Sequence, residues 1–282
     1  MDDHPRLDRR TSLSCGAVPV DSCMLSAVAF RFRAPPIVEV VCGFFFSPMA
    51  GLDPMAVGKY WGEKKTRGYP TKQLHPPVTD RPGVSFSDGV GPLRCWLLSE
   101  TEEYVVQIQP DRFYFNWRKR QAEYPHFNDH GPKQGVLTRS LDAFEDFRTF
   151  CQAELGLAPS AARVDLAKID LLAQPEHWSD FNDLAKLLPV VKPLARITKS
   201  AEPILHLKLA EVRESHEVHF QMTSALLAAG LAPAIQIETR ATTDAGDGPL
   251  RDKFVAMNAV VNDVFFDMIE PAEWARFGGV DQ

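Results

Sequence analysis

The chain lacks the features by which a sequence most readily declares its chemistry. Its five cysteines (Cys15, Cys23, Cys42, Cys95, Cys151) are odd in number, scattered, and include no Cys-x-x-Cys pair. That excludes a zinc ribbon, argues against a disulfide framework, and fits a reducing cytoplasmic setting. Cys42, Cys95 and Cys151 sit among apolar neighbours and read as small buried hydrophobes. No apolar run approaches the roughly 20 residues of a membrane-spanning helix. The longest, Ile37 to Phe46, carries Glu39 and reads as a buried strand. There is no Gly-x-Ser-x-Gly elbow, no Gly-x-Gly-x-x-Gly turn and no P-loop, and Asp244 to Gly248 is a plain turn. Positive charge is not in excess: 31 Lys and Arg face 37 Asp and Glu, a formal net charge of −6. Nucleic acid or an acidic membrane would therefore need a local basic patch.

No cofactor or metal is called for. His126 and His130 flank Asp129, but in a loop their spacing does not bring them onto one helix face. His206, His216 and His219 read as cross-strand surface histidines. Residues 1–23 mix charge, proline, serine and glycine without period, and no sustained apolar core follows Arg9-Arg10. A signal peptide is not expected there. The reading is a disordered extension over residues 1–33, with Met24 as the natural first residue.

What is present describes an ordinary globular chain of 282 residues, 45% hydrophobic and 24% charged, ample for a substantial core. Pro35-Pro36 open the ordered part and lead into a strand over 37–46. Asp53-Pro54 has the chemistry of a helix start. Residues 67–82, rich in proline and polar side chains, read as a loop. Four short strands follow at 84–86, 93–99, 104–109 and 113–117, with turn residues between them. Apolar residues from Leu141 to Leu155 recur at helical spacing up to Gly156. The second half reads similarly: a strand over 163–173, a helix over 178–188 capped by Ser179 or Asp180, a weak strand near 195–198, strands at 204–212, 218–224 and 234–240, and a closing helix over 249–268.

These orders give an α+β fold: antiparallel β-sheet meanders with long helices packed on one face, as two pseudo-repeated β-α-β4-α halves (34–158 and 159–282) forming one globular unit. The arrangement is analogous to helix-grip and TATA-binding-protein-like architectures, an analogy of fold that carries no function.

The segment 107–127 has the most individual character. Gln107, Asp111-Arg112-Phe113, Asn116-Trp117-Arg118 and Tyr124-Pro125 resemble a family of sporadically distributed bacterial proteins of unknown function. The Ala34-Pro-Pro-Ile-Val-Glu-Val40 segment is similar to that family's opening strand, residues 141–155 to its middle helix, Arg163-Val-Asp165 with Ile169 to the next strand, and residues 254–274 to its last helix. Two positions depart from the pattern: Lys168 to Asp170 stand where the family usually has an asparagine, and Met257-Asn258 where it often has a histidine. The resemblance implies a fold and an accessory role, and no mechanism.

In a pleated strand Phe113, Phe115 and Trp117 share one face, and Arg112, Tyr114, Asn116 and Arg118 the other. The second face offers a planar fork and a stacking surface for a partner, with Lys119, Arg120 and Tyr124 extending it. The competing reading has Asn116 and Arg118 anchoring the 124–130 loop, and it is the favoured one. Glu39, inside an apolar strand, needs a partner, for which Arg118 or Arg112 on a neighbouring strand would serve. Asp165 and Asp170 are out of phase in one strand and face opposite sides, so they form no acid/base pair.

Three functions fit this inventory. The leading one is a non-enzymatic cytoplasmic binding or adaptor component, of a mobile or defence-type gene set, with another protein as its partner. The second is a small-ligand protein, a simple binder or a catalyst, with Glu39, Asn116 and Arg118 reaching a pocket between sheet and helices. The third is nucleic-acid binding across a curved sheet through Arg112, Tyr114, Arg118, Lys119 and Arg120, which the acidic balance disfavours. The missing motifs point away from a standard enzyme.

Overall fold

The computed structural model describes residues 31–78, 94–128, 134–198, 204–226 and 232–281. The Met24 start, the 84–86 strand and the 129–130 part of the histidine loop lie outside these residues. The first half runs β1 (Arg31–Phe32), β2 (Ile37–Phe45), α1 (Pro54–Lys65), β3 (Thr71–His75), β4 (Arg94–Leu98), β5 (Tyr104–Gln109), β6 (Arg112–Arg118) and α2 (Val136–Leu155). The second runs β7 (Arg163–Ala173), α3 (Phe181–Leu187), α4 (Lys192–Ala195), β8 (His206–Arg213), β9 (His216–Leu226), β10 (Pro233–Asp244), α5 (Leu250–Met268) and β11 (Val280–Asp281).

Nine of these strands form one antiparallel sheet in the order β3-β4-β5-β6-β2-β7-β10-β9-β8. The fold is thus α+β with an antiparallel sheet, as the sequence suggests. The apolar strands β2 and β7 lie side by side at its centre, with Cys42 opposite Leu166 and Gly43 opposite Asp165. Their apolar character follows from this position, since a central strand is shielded along both edges.

Alternation along the strands separates two faces. Val40, Cys42 and Phe44 of β2, Phe113, Phe115 and Trp117 of β6, and Val164 and Leu166 of β7 all meet the helices α2 and α5. Phe44 stacks on Phe144 of α2 at 4.2 Å between ring centroids and meets Phe254 of α5 at 5.2 Å. Burying one such ring contributes about 1.5–3 kcal/mol. A second apolar cluster joins Val260, Val264 and Phe265 of α5 to Leu172, Ile235 and Met222 of the sheet and to Phe181 and Leu184 of α3. Helix α5 therefore serves both clusters through two adjoining stripes.

The helix ends obey local chemistry. The Asp53 side chain accepts hydrogen bonds from the amides of Met55 and Ala56, both at 2.9 Å, which caps α1. Asp180 caps α3 by accepting from the Asp183 amide at 2.9 Å. Gly156, at φ 70°, ends α2 in the left-handed conformation that glycine adopts without a Cβ penalty.

Three expectations change. Residues 71–75, expected within a loop, form the edge strand β3, held by pairing with β4 from Thr71↔Leu98 to His75↔Arg94. Its exposed, mostly polar residues gave no alternation to read, because an edge strand has little core to bury. Near 195–198 there is no strand: α4 and a turn occupy the site, with the Ile197 and Thr198 amides donating to the Leu194 carbonyl at 3.1 and 3.0 Å. Among the described residues the second half thus carries three strands between α3 and α5, not four. The ordered chain also starts earlier than Pro35. Strand β1 pairs with β11, and Phe32, 4% exposed, sits among Phe265, Phe266, Trp274 and Phe277. Residues 31–33 belong to the fold, because Phe32 is the aromatic that closes this cluster.

Candidate functional site

The face of the sheet turned away from α2 and α5 carries the row expected from β6. Arg112, Tyr114 and Asn116 are buried, and Arg118 is partly exposed. Asn116 Nδ2 donates to Glu39 Oε1 at 2.5 Å, while its Oδ1 accepts from Gln107 at 2.9 Å. Arg118 Nε donates to the same Glu39 oxygen at 3.0 Å, and its guanidinium lies 4.5 Å over the Trp96 ring. Glu39 has thus found its cation in Arg118. Arg112 takes Asp111 through two bonds of 3.0 and 2.7 Å.

The expected clasp of Asn116 and Arg118 on the 124–130 loop is not made among the described residues. Tyr124 lies behind the sheet, 5.1 Å from the Trp117 ring, on the face opposite Asn116. The loop is held instead by its own backbone, the His126 and Phe127 carbonyls each accepting at 3.1 Å from the Val136 and Leu137 amides that start α2. Arg120 stands at the rim, 3.5 Å from Glu102. The six residues expected to form one binding row (Arg112, Tyr114, Asn116, Arg118, Arg120, Tyr124) are therefore split between two faces and a rim.

A cleft of about 580 Å³ lies on this open face among Arg94, Gln107, Tyr114, Asn116, Asp165 and Arg240. Its centre is an internal network. Asp165 is 1% exposed and ion-paired to Arg240, which also holds Glu238 at 3.0 Å. Burial pushes the Asp165 carboxyl upward, against the pull of Arg240, and pushes the Tyr114 phenol up to about 12. Gly43 makes room for this arrangement: a Cβ there would collide with Asp165 Oδ1 and stand 2.7 Å from the Tyr114 ring. The network joins β6, β2, β7 and β10 across the middle of the sheet.

The opposite side of the sheet holds a different kind of site. A cavity of about 260 Å³ opens between β2, β7, α5 and the 124–128 loop. Its apolar wall is built from Phe32, Ile37, Phe127, Val261, Phe265 and Phe266. Its polar groups come from three places. Lys168 and Asp170, two apart on β7, share the helix-facing side; Asn258 and Asn262, four apart on α5, share one helix face; and Tyr124, His126 and Asn128 come from the loop. Asp165 and Asp170 thus face opposite sides, as their phase in the strand requires. The expected polar lining of Glu39, Asn116 and Arg118 is absent from this cavity, because all three project from the other face.

Lys168 Nζ donates to Asn262 Oδ1 at 2.6 Å and lies 5.8 Å from the centre of the Phe127 ring. An ammonium has three donors, and this is the one hydrogen bond Lys168 makes through Nζ among the described residues. Asp170, 3% exposed, makes no side-chain hydrogen bond among them, and Asn258 Oδ1 has no partner there. Burial pushes the Lys168 ammonium down and the Asp170 carboxyl up, each shift opposed by the other's charge. His126 adopts φ 54°, a left-handed conformation uncommon for a side-chain-bearing residue.

These groups were only partly legible. Lys168 to Asp170 and Asn258 stood out as departures from a family pattern, and His126 as half of a discounted metal pair. Asn262 was not singled out. The available signal was polarity in the wrong place: a lysine and an aspartate at i,i+2 on the buried side of β7, and two asparagines at i,i+4 within the apolar face of α5. Among the described residues no group of three or more His, Cys, Asp or Glu could hold a metal ion. No described helix is long and apolar enough to cross a membrane. No protein-family model, curated protein or solved structure matches the chain.

Proposed function

We propose that the protein binds a small, largely apolar molecule bearing a polar group, in the cavity between β7, α5 and the 124–128 loop. One observation carries this reading: Asn258 Oδ1 is buried in the cavity wall without a hydrogen-bond partner among the described residues, and the Asp170 carboxyl of the same wall accepts no hydrogen bond from them. A buried polar group left unpaired costs about 1–3 kcal/mol, and such groups gather where a ligand completes them. The cavity, about 260 Å³, lies just under the roughly 300–1,000 Å³ of typical ligand pockets, so the ligand is small. The left-handed His126 at its mouth supports the same reading, since strained residues collect at ligand sites.

The fold is read here as a duplicated helix grip. Its support is the central β2–β7 pair, with a meander on the outer side of each strand and a long helix following each meander. A cytoplasmic setting is supported by Cys42, Cys95 and Cys151, which are buried free thiols.

Replacement of Asn258 by leucine tests the binding reading. The apolar side chain fills part of the cavity and removes the orphaned oxygen. The melting temperature is expected to rise, corresponding to about 1 kcal/mol. Stabilisation by a panel of small ketones, amides and carboxylic acids, present in the wild type, is expected to vanish. A wild type whose melting temperature no panel member shifts would end the reading.

Docking of a protein partner is a second reading, carried by the sheet edge. Among the described residues strand β8 has no outer neighbour in the sheet, and its Leu209 and Val212 are 57% and 78% exposed. A free edge with apolar side chains is a template for strand addition. Pull-downs from the native host, comparing wild type with a Leu209→Lys, Val212→Lys variant, are expected to lose a partner; identical partner sets would remove this reading.

A further inference from the structure

We propose that Lys168 is a nucleophilic amine that captures a small aldehyde or ketone as a reversible imine, with Asp170 as the proton carrier. This deepens the binding reading above and rests on it. Three features of the cavity point to this chemistry.

The first is the amine's setting. Lys168 is 5% exposed, and one hydrogen bond, to Asn262, fixes its nitrogen beside the Phe127 ring. A structural lysine in a core is normally paired with a carboxylate at contact distance, since burying a charge alone is costly. Lys168 has no such ion pair among the described residues: its neighbour on the strand, Asp170, acts on it through space, without a hydrogen bond. Asn262 offers an oxygen acceptor, and an acceptor is satisfied by a neutral amine as well as by an ammonium. Burial lowers the lysine toward its neutral form, which is the form that attacks carbonyls.

The second is the carboxyl. Asp170 lies two residues along the same face of β7, so the two side chains rise side by side into the cavity. Burial raises it toward its protonated form, in which it donates a proton. Among the described residues the other titratable groups facing the pair are Cys42 from β2, whose thiol burial holds up at about 12, and Tyr124 and His126 from the loop. Helix α5 contributes only the uncharged Asn258 and Asn262 to the cavity's polar wall.

The third is the balance of the walls. Six apolar side chains suit a short hydrocarbon body, and Asn258 remains to orient a second polar group on it.

The step balances without any further reagent. The Lys168 nitrogen bonds to the carbonyl carbon as the C–O π bond opens onto oxygen, and that oxygen takes the Asp170 proton. The nitrogen then returns a proton to the Asp170 carboxylate, leaving a neutral carbinolamine. Asp170 protonates the hydroxyl, the C–O bond breaks, water leaves, and the nitrogen lone pair closes the C=N bond. The product is a protonated imine beside an Asp170 carboxylate, so the cation forms next to its counter-charge. Hydrolysis retraces the path.

The test is borohydride trapping with butanone and cyclohexanone on the purified full chain, read by intact mass and peptide mapping. One reduced adduct is expected, located at Lys168 in the wild type and absent from Lys168→Met. Asp170→Asn is expected to slow trapping by about tenfold or more. Mapping the wild type decides the matter even if a variant fails to fold. If either ketone raises the wild-type melting temperature, yet no adduct maps to Lys168, the covalent inference is wrong and the binding reading stands. If neither ketone binds or is trapped, the inference also falls, and the wider panel then decides the binding reading. Adducts spread over surface lysines at the same rate in Lys168→Met likewise overturn it.

Discussion

At the scale of single residues, the chain spends its buried polar groups in two opposite ways. On the open face every carboxylate of the central network has a cation: Glu39 has Arg118, Asp165 has Arg240 through Oδ2, its Oδ1 having no hydrogen bond among the described residues, and Asp111 has Arg112. Behind the sheet, no ion pair holds Asp170 and Asn258 Oδ1 has no hydrogen-bond partner, among the described residues. That contrast, more than the presence of polar residues, separates a structural site from a candidate binding site. Gly43→Ala puts the structural side to the test. The new Cβ displaces Asp165 from Arg240, and breaking a buried ion pair costs about 3–5 kcal/mol. Denaturant unfolding is expected to show a loss of that size, and a loss below about 1 kcal/mol would mean that the network relaxes freely around the methyl group.

The residue scale also shows where sequence reading succeeds and why it stops. The period of two in β6 correctly sorted Phe113, Phe115 and Trp117 from Tyr114, Asn116 and Arg118, because alternation follows from backbone geometry alone. The same rule correctly parted Asp165 from Asp170. It could not say which partner Asn116 takes, since that depends on Glu39, 77 positions away in sequence. Nor could it place Tyr124, whose side is fixed by the path of a loop rather than by any repeat.

Among the elements, those with a strong internal pattern were read well. Helices α2 and α5 announced themselves by apolar spacing, and Gly156 marked the end of α2. Strand β3 was missed because its order comes from pairing with β4, and the segment at 195–198 was misread because a few apolar residues fit a strand and a turn equally well. One element is held by charge. Arg276, in the 3-10 turn Pro271–Phe277, grips Asp183 of α3 through two bonds of 2.9 and 2.8 Å and holds Glu273 at 2.6 Å. The guanidinium holds the Asp183 carboxyl well below the usual carboxylate range. A carboxyl depressed in the folded state contributes stability above its unfolded pKa of about 4, and that stability is lost as pH falls toward the folded value. Asp183→Asn is therefore expected to be less stable than wild type at neutral pH, by about 1–2 kcal/mol. The gap should narrow below about pH 4, and thermal melts across that range would reveal a wrong assignment if it stayed constant.

At the scale of the whole molecule, the two halves share one helix and one strand boundary. Strand β2 needs β7 for its second ladder, and α5, from the end of the chain, covers Phe44 near its beginning. A fragment covering residues 31–158 would expose the full edge of β2 and lose the Phe254 contact. It is expected to show neither a cooperative melt nor dispersed amide resonances, whereas residues 31–281 unfold in one transition followed alike by tryptophan fluorescence and circular dichroism. A fragment that folds alone would show that the halves are separate domains.

The pairing of β1 with β11 brings residues 31 and 281 together as Cα partners in a ladder, a separation of about 5 Å. Between residues 31 and 281 the chain is topologically close to a ring. A short glycine-rich bridge could join these two points, and the chain could be reopened elsewhere, for example at the Glu214-Ser215 hairpin turn, whose φ values of 50° and 68° mark a tight reversal. Such a permuted protein would keep the same sheet order and the same cavity wall. Both of its ends would then lie at the β8–β9 turn, which is not part of the cavity wall, and would leave that wall unchanged for a reporter dye or a tether.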